Sequence, residues 1–164
     1  MAYFEIGIFQ PRNDENIGTL WRSAWQLGAA GIFTIGRKQR RQTSDVLNVP
    51  QLLPYRQFET LEVFLSARPA GAQVIGVEFG GTPLGTFKHP ERAIYLLGSE
   101  ANGLSKEVIA RCNAVVQIES VHYKSYNVAI AGSIVMYHRL ISGEFSLGKN
   151  SSPSENNPTK ITPS

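Results

Sequence analysis

The alternation of strand-like and helix-like segments along the chain is the feature that most restricts its fold. Short apolar runs rich in β-branched and aromatic residues predict strands at 3–9, 31–35, 72–78, 93–97 and 114–118. The segments between them have the apolar spacing of helices and cover residues from 13 or 16 to 28, 60–67 and 106–111. Because parallel strands are joined through helical crossovers, this order predicts an α/β fold with a mostly parallel sheet flanked by helices.

Two segments are predicted to be irregular. Residues 36–58 contain a basic loop followed by prolines at positions 50 and 54, which exclude a long helix there. Residues 80–83 read Gly-Gly-Thr-Pro and are predicted to end the third strand. The loop left behind can approach a ligand closely because glycine has no Cβ.

A long helix is predicted at 128–138, directly after Ser125 and Asn127. Apolar residues occupy nearly all of its faces, which predicts a buried helix. Either Ser125 or Asn127 can cap its N-terminus through a side-chain oxygen. The positive end of such a helix favours an anion or a polar ligand. A capped core helix that binds nothing is an equally good interpretation of this stretch alone.

Length and composition indicate one domain. We expect residues 1–149 of the 164 to form it around a substantial core, and the Ser-, Pro- and Asn-rich residues 150–164 to be disordered. The first residues lack a basic region before their apolar run and include Glu5, so they fit a strand better than a signal peptide. No run of about 18 apolar residues occurs, and we expect a cytoplasmic protein without membrane spans.

Several common cofactor and metal motifs are missing from the sequence. The single cysteine, Cys112, excludes an internal disulfide and a cysteine-cluster metal site. His89, His122 and His138 are far apart in sequence and lack ligand spacing, which predicts that none binds a metal. A G-x-G-x-x-G segment after the first strand, a P-loop and a G-x-S-x-G elbow are all absent, which disfavours NAD-binding, P-loop NTPase and serine hydrolase functions.

A small excess of positive charge is concentrated in one segment. Lys and Arg exceed Asp and Glu by 16 to 13, and four of these cations are Arg37, Lys38, Arg40 and Arg41. The segment predicts either a solvated loop or a set of contacts with the phosphates of a nucleic acid. The net charge of +3 is too small to decide between the two interpretations.

Three stretches of small and polar residues follow predicted strands or precede helices. They are Asn16-x-Gly18-x-x-x-Arg22, Leu97-Gly98-Ser99-Glu100-x-x-Gly103-Leu104 and Ser125-x-Asn127-Val128-Ala129. In this order they resemble motifs 1, 2 and 3 of the SPOUT superfamily of RNA methyltransferases, in its TrmH-like branch. The chain is most similar to the minimal TrmL-type members, and the resemblance extends over most of residues 3–141.

The resemblance implies a C-terminal trefoil knot, S-adenosylmethionine bound in the loops of the knot, and a homodimer. It implies cofactor contacts at Gly98, Ile118, Ser125 and at Val77 or Glu78. It implies catalytic or site-shaping roles for Asn16, Arg22, Glu100, Ser125 and Asn127. In this family the counterpart of Arg22 works across the dimer interface, which agrees with its predicted direction away from the buried face of its own helix.

The implied reaction is methyl transfer to a ribose 2′-hydroxyl of RNA, with tRNA as the expected substrate and its wobble nucleotide as the expected site. We expect Arg22 to grip the adjacent phosphate rather than act as general base, because a guanidinium deprotonates only above about pH 12. Glu100 is expected to orient Arg22 or Asn16. The alternatives are an rRNA or base methyltransferase and a non-catalytic module that binds RNA or S-adenosylmethionine on the same fold.

Two places in the chain depart from the family pattern. Ile118-Glu119-Ser120 stands where the family usually has Ile-Pro-Met, and Tyr126 stands where it usually has Leu or Met. Both lie beside the implied cofactor contacts, so the surroundings of the cofactor are expected to differ from those of typical members.

Overall fold

A six-stranded parallel sheet forms the centre of the protein in a computed structural model that describes residues 2–36 and 52–143. All pairs of neighbouring strands are parallel, and their order across the sheet is β3-β2-β1-β5-β4-β6. The strands are β1 Tyr3–Phe9, β2 Gly31–Ile35, β3 Tyr55–Phe58, β4 Gln73–Pro83, β5 Arg92–Leu97 and β6 Ala114–Gln117. This arrangement confirms the predicted parallel α/β sheet.

Helices cover both faces of this sheet. They are α1 Asp14–Gln26, α2 Leu61–Ser66, α3 Lys106–Ala110 and α4 Val128–Ile141, with a short 3-10 turn at Leu84–Thr86. One apolar cluster joins α1 and α4 to the sheet through residues such as Leu20 and Met136. A second cluster joins α2 and α3 to the opposite face through Phe64 and Val108. The central strands are therefore buried on both sides, as expected for a parallel sheet.

Small residues of α4 allow it to pack closely against α1. A Cβ added to Gly132 would lie 2.5 Å from Leu20 Cδ1 and 3.0 Å from Leu97 Cδ1, so only glycine fits this position without a shift of its neighbours. The hydroxyl of Ser133 donates to Ser23 Oγ at 2.9 Å across the same contact. The short side chains of Gly132 and Ser133 thus allow α4 to pack onto α1.

The structure corrects both predictions of irregular backbone. Residues 55–58 form the edge strand β3, which pairs with β2. Its polar residues Arg56 and Gln57 interrupt the apolar pattern, but Arg56 is satisfied by a salt bridge of 2.6 Å to the buried Glu5. The Gly-Gly-Thr-Pro segment lies within β4 instead of ending it, because β4 continues pairing with β6 after a register shift between Val77 and Thr82.

Helix α4 is not buried on all sides, contrary to the prediction from its composition. Ile130, Tyr137 and Ile141 are each about half exposed, with relative accessibilities of 48%, 55% and 59%. Apolar composition alone could not show which face the sheet and α1 leave uncovered. The N-cap is Asn127 rather than Ser125, since the Asn127 side chain accepts from the amides of the first turn.

Two histidines that are distant in sequence meet in the fold. His89 Nε2 and His138 Nδ1 are 2.8 Å apart, and the buried His89 also contacts the Tyr95 hydroxyl. Burial, followed by the charges of His138 and Arg139, lowers the pKa of His89 to about 4. Within the described ranges, no group of three or more His, Cys, Asp or Glu side chains has the arrangement of a metal site.

Several predictions concern parts of the chain beyond the described residues. Arg37, Lys38, Arg40 and Arg41 lie outside them, as does the tail at 150–164. The trefoil knot and the domain boundary at residue 149 stay predictions. None of the helices between residues 2 and 36 or between 52 and 143 is long and apolar enough to cross a membrane.

Candidate active site

The parallel sheet brings four loops together at one edge. In parallel strands all carboxyl ends point the same way, and ligands of open α/β sheets bind outside those ends. The loops after β1, β4, β5 and β6 carry residues 10–13, 84–91, 98–105 and 118–127. Motif 2 therefore lies at the same edge as the turn that precedes motif 1 and the loop that holds Ser125 of motif 3.

Glu100 is held by the turn between β1 and α1. Its carboxylate accepts from the backbone amide of Arg12 at 3.1 Å and that of Asn13 at 3.4 Å. Gln10, at the start of this turn, has a left-handed φ of 51°, which is uncommon for a residue other than glycine. The turn thus directs two backbone amides onto a single carboxylate.

Asn16 connects Glu100 to the N-terminus of α4. Its amide nitrogen Nδ2 donates to Glu100 Oε1 at 2.8 Å, and its oxygen Oδ1 accepts from Asn127 Nδ2 at 3.0 Å. Asn127 Oδ1 in turn accepts from the amides of Ala129 and Ile130 at 2.9 and 3.2 Å. We call Glu100, Asn16 and Asn127 the motif relay, since one residue from each motif contributes to a continuous chain of hydrogen bonds.

The relay keeps Glu100 ionised. Partial burial acts to raise the pKa of its carboxyl, but hydrogen bonds from Asn16 and from backbone amides, including those of Arg12 and Asn13, outweigh it and lower the pKa. A fixed negative charge therefore lies where the three motifs meet. Glu100 itself is exposed, whereas Asn16 is only 8% exposed.

A cavity of about 290 Å3 opens beside this relay. This volume is near the lower end of the range of about 300–1,000 Å3 typical of ligand pockets. Apolar side chains and backbone form much of the lining, and Glu100 and Glu78 add carboxylates. The lining includes the predicted cofactor residues Val77, Glu78, Gly98, Ile118 and Ser125, together with Phe79, Leu97, Gln117, Tyr126, Val128 and Ala131.

Glycine is required where the wall of this cavity turns. A Cβ on Gly98 would lie 2.3 Å from the carbonyl carbon of Gly103, and Ser99 and Gly103 pair across the same turn. Gly103 has φ of 60°, which favours glycine, and Glu78 Oε2 accepts the neighbouring amide of Leu104 at 2.9 Å. Motif 2 thus folds back on itself and is fastened to Glu78 in the middle of β4.

Arg22 lies apart from the other predicted catalytic residues. It is exposed on α1 and makes no hydrogen bond or ion pair with any residue that the structure describes. Arg22 lies six positions after Asn16 on α1, which places the two side chains about 120° apart around the helix axis, so they leave α1 in different directions. Of the two expected partners of Glu100, the structure supplies Asn16.

Sequence reasoning missed the side chains that anchor the wall of the cavity. Gln117 Oε1 accepts from the amide of Gly80 at 2.8 Å, and Glu119 Oε1 accepts from the amide of Gly85 at 3.0 Å. Glu119, which departs from the family pattern, thus fastens the segment after β4. Its only sequence signal was the departure itself, because its partner is a backbone amide and carries no signature.

Comparison with known proteins agrees with the resemblance of the three motifs. The sequence model described as the SpoU rRNA Methylase family matches residues 3–137. The chain belongs to this family. The match includes all three motifs and ends within α4.

Two curated relatives are similar over most of the chain. The 23S rRNA (uridine(2479)-2′-O)-methyltransferase of Streptomyces viridochromogenes is 26% identical over 140 residues, which are 78% of this chain and 49% of the relative. An uncharacterized tRNA/rRNA methyltransferase of Mycolicibacterium smegmatis is 27% identical over 79% of this chain and 42% of its own length. The chain therefore spans about half the length of these relatives.

Solved structures of this kind share the fold. A structure described as "Structural insights into the 2-OH methylation of C/U34 on tRNA" is 26% identical, with a TM-score of 0.76 over 87% of this chain and 98% of that one. The AdoMet-bound rRNA methyltransferase of Sinorhizobium meliloti is 24% identical, with a TM-score of 0.77 over 89% of this chain and 59% of that one. The fold is therefore that of SpoU-type methyltransferases.

Proposed function

We propose that this SpoU family member is an S-adenosylmethionine-dependent RNA methyltransferase that acts on a ribose 2′-hydroxyl. The observation that carries the proposal is the cavity, because residues expected from motif 2, motif 3, the middle of β4 and Ile118 to bind the cofactor line it together. The motif relay ends at Glu100, which belongs to the same lining. A curated relative named as a 2′-O-methyltransferase supports the reaction.

The cavity has the chemistry that S-adenosylmethionine needs. Val77, Leu97 and Ile118 would supply apolar walls for the cofactor, and the backbone around Gly98 could approach it closely because the residue has no side chain. Glu78 and Glu100 supply negative charge near a cofactor whose sulfonium is positive. When bound, the cofactor supplies an electrophilic methyl group, and the chain's task is to hold the attacking hydroxyl in line with it.

The motif relay is proposed to position the attacking ribose. Asn127 presents the first turn of α4, whose positive end lies next to Ser125 at the cavity. Glu100 accepts from the turn of Arg12 and Asn13, and Asn16 links it to Asn127 at that end. Substrate groups that enter here would meet polar side chains already fixed by hydrogen bonds, which is the positioning on which an in-line displacement relies.

Arg22 is proposed to bind the phosphate next to the reactive ribose, in a homodimer where it serves the partner's cavity. Its exposure on α1 and its separation from Asn16 support a role toward another molecule. An arginine binds phosphate through two parallel N–H donors, which a lysine cannot reproduce. We propose tRNA as the substrate, because the structure concerned with tRNA C/U34 is matched over 98% of its length.

A second candidate substrate is rRNA. It is favoured by the named activity of the Streptomyces viridochromogenes relative, which acts on 23S rRNA. The two substrates are separated by incubating the full chain with radiolabelled S-adenosylmethionine and with tRNA or rRNA from cells lacking this gene. Nucleoside mass spectrometry then identifies the methylated residue. Methyl transfer to protein, DNA or a base instead of a ribose would contradict the proposal.

The Arg22→Lys variant tests the role of the guanidinium. It should bind RNA within a few-fold of the unmodified protein and lose most of its turnover, and Arg68→Lys, a change at another exposed arginine, should leave both unchanged. Full turnover in Arg22→Lys would contradict bidentate phosphate binding.

Mixing two inactive variants tests whether Arg22 acts across a dimer. If Arg22 serves the partner's cavity, a heterodimer of Arg22→Ala and Glu100→Gln contains one intact site, so activity returns on mixing. If it serves its own cavity, every site in the mixture carries a defect and activity stays at the level of the separate variants.

A further inference from the structure

Tyr123 forms an aromatic surface in the loop between β6 and α4. Its ring centroid lies 4.6 Å from that of Phe79, with an angle of 31° between the planes. Tyr123 nevertheless remains 81% exposed. One face of the ring therefore rests on Phe79 and the opposite face is open.

The ring beneath this surface is held in place by its neighbours. The amide of Phe79 donates to Glu78 Oε1 at 2.9 Å, and the amide of Gly80 donates to Gln117 at 2.8 Å. The loop that carries Tyr123 is closed by the hydroxyl of Tyr126, which donates to the carbonyl of Glu119 at 3.0 Å. Both rings thus belong to backbone segments that are fixed by hydrogen bonds, so little order has to be gained on binding.

This surface is continuous with the candidate active site. Phe79 and Tyr126 both line the cavity that also contains Glu100. Tyr123 packs on the solvent side of Phe79, and Lys124, the next residue after Tyr123, is exposed. A ligand stacked on Tyr123 would therefore be next to the mouth of the cavity and near a positive charge.

We propose that Tyr123, supported by Phe79, is a stacking platform for an unpaired nucleobase of the RNA substrate. The proposal rests on the function proposed above and narrows its substrate to a nucleotide in a single-stranded loop or end. Aromatic side chains stack on bases that are splayed out of a helix, whereas the base faces within a duplex are covered by their neighbours. Stacking of the base holds its nucleotide at the cavity mouth, so Tyr123 acts as a positioning residue.

The sequence of this loop supports a role particular to this chain. Glu119, Ser120 and Tyr126 depart from the pattern of the family, and they flank Tyr123 on both sides. Two of these residues make hydrogen bonds that hold the loop: the Tyr126 hydroxyl donates to the carbonyl of Glu119, and the Glu119 carboxylate accepts from the amide of Gly85. The altered residues thus fix the backbone of the loop that carries the exposed Tyr123 ring.

Three variants in the same loop test the platform. Tyr123→Ala removes the ring, Tyr123→Phe keeps it, and Val121→Ala changes a neighbouring side chain that is 95% exposed. The readouts are KM and kcat for methyl transfer to tRNA or rRNA, and binding of a single-stranded oligoribonucleotide that carries 2-aminopurine, whose fluorescence is quenched by stacking. Calorimetry with S-adenosylmethionine and light scattering for oligomeric state are run on the same samples.

We expect Tyr123→Ala to raise KM about 5- to 150-fold, the ratio that corresponds to the stacking contribution of one base. The 2-aminopurine quench should be lost, kcat should change little, and Tyr123→Phe and Val121→Ala should behave like the unmodified protein. A duplex of the same oligonucleotide should bind the unmodified protein more weakly than the single strand.

Three results would overturn the platform. An unchanged KM and quench in Tyr123→Ala would show that the ring does not contact the base. A loss of S-adenosylmethionine affinity in Tyr123→Ala would show that the ring contacts the cofactor. A loss of the dimer in this variant would show that the ring contacts a second copy of the chain. If the unmodified protein transfers no methyl group to RNA, the proposed function fails first, whatever Tyr123 does.

Discussion

Replacing Asn16 by aspartate tests whether the motif relay depends on one donor. The change is nearly isosteric, but it replaces the Nδ2 donor, which lies 2.8 Å from Glu100 Oε1, by a carboxylate oxygen. Two acceptors that both carry charge then face each other. The other oxygen can still accept from Asn127, so the perturbation is confined to one contact.

The expected loss of stability is about 1–4 kcal/mol. Two unit charges about 4 Å apart repel by about 1 kcal/mol in a water-like medium and by about 4 kcal/mol at an effective dielectric constant of 20. Glu100 is exposed and Asn16 is buried, so the site lies between these limits. The repulsion also raises the pKa of the carboxyl pair above its unfolded value. The variant is therefore most destabilised at high pH, and the loss shrinks as the pH falls through the raised pKa and the pair takes up a proton.

Urea unfolding at pH 8 and pH 5 measures this loss directly. The double variant Asn16→Asp with Glu100→Gln is the matched control, because the glutamine amide introduced at position 100 can donate to the new carboxylate and restores the contact with the roles reversed. Most of the lost free energy of unfolding should return in the double variant. The reasoning is refuted if Asn16→Asp unfolds like the unmodified protein at pH 8, or if its loss is the same at both pH values.

Three further predictions follow from the same site. Asn127→Ala removes the side-chain cap of α4 and should lower the free energy of unfolding by about 1–2 kcal/mol in urea, whereas Asn127→Ser, which loses the bond to Asn16 equally, should retain most of the cap. Gly98→Ala places a Cβ 2.3 Å from Gly103, so we expect a lower melting temperature and loss of S-adenosylmethionine binding by calorimetry. Because the pKa of Glu100 is lowered in the folded state, its ionised carboxylate stabilises the fold fully above the ordinary carboxyl pKa of 4.5, and this stabilisation is lost as the pH falls through the pKa of the folded protein. Glu100→Gln should therefore make the free energy of unfolding fall less steeply with decreasing pH below pH 4.5.

Controls for these three changes come from the same part of the chain. Gly18→Ala lies in α1, where an added Cβ meets no atom within 4 Å, so it should be neutral or stabilise by up to about 1 kcal/mol. Equal losses in Gly18→Ala and Gly98→Ala would contradict the packing argument. An unchanged stability in Asn127→Ala would mean that other groups cap α4. An unaltered acid limb in Glu100→Gln would show that the ionised Glu100 carboxylate does not contribute to the free energy of unfolding.

Local patterns in the sequence were sufficient for most of the sheet and for the motifs. The strands from Tyr3 and Gly31 were predicted with the ends that the structure has, because buried parallel strands read as continuous apolar runs. The strand at 55–58 was missed, because it lies at the edge of the sheet and its polar residues pair with distant side chains. The exposed face of α4 was missed for a related reason, since burial depends on which neighbours arrive.

The sequence by itself determined the α/β class, the three motifs and the residue types that could meet S-adenosylmethionine and RNA. Only the tertiary structure decided that Glu100 bonds to Asn16 rather than to Arg22, that Asn127 joins both to α4, and that Tyr123 stands open on Phe79. Each of these contacts joins residues at least 44 positions apart. Such contacts are fixed by the register of β1, β4 and β5 in one sheet, which no local pattern encodes.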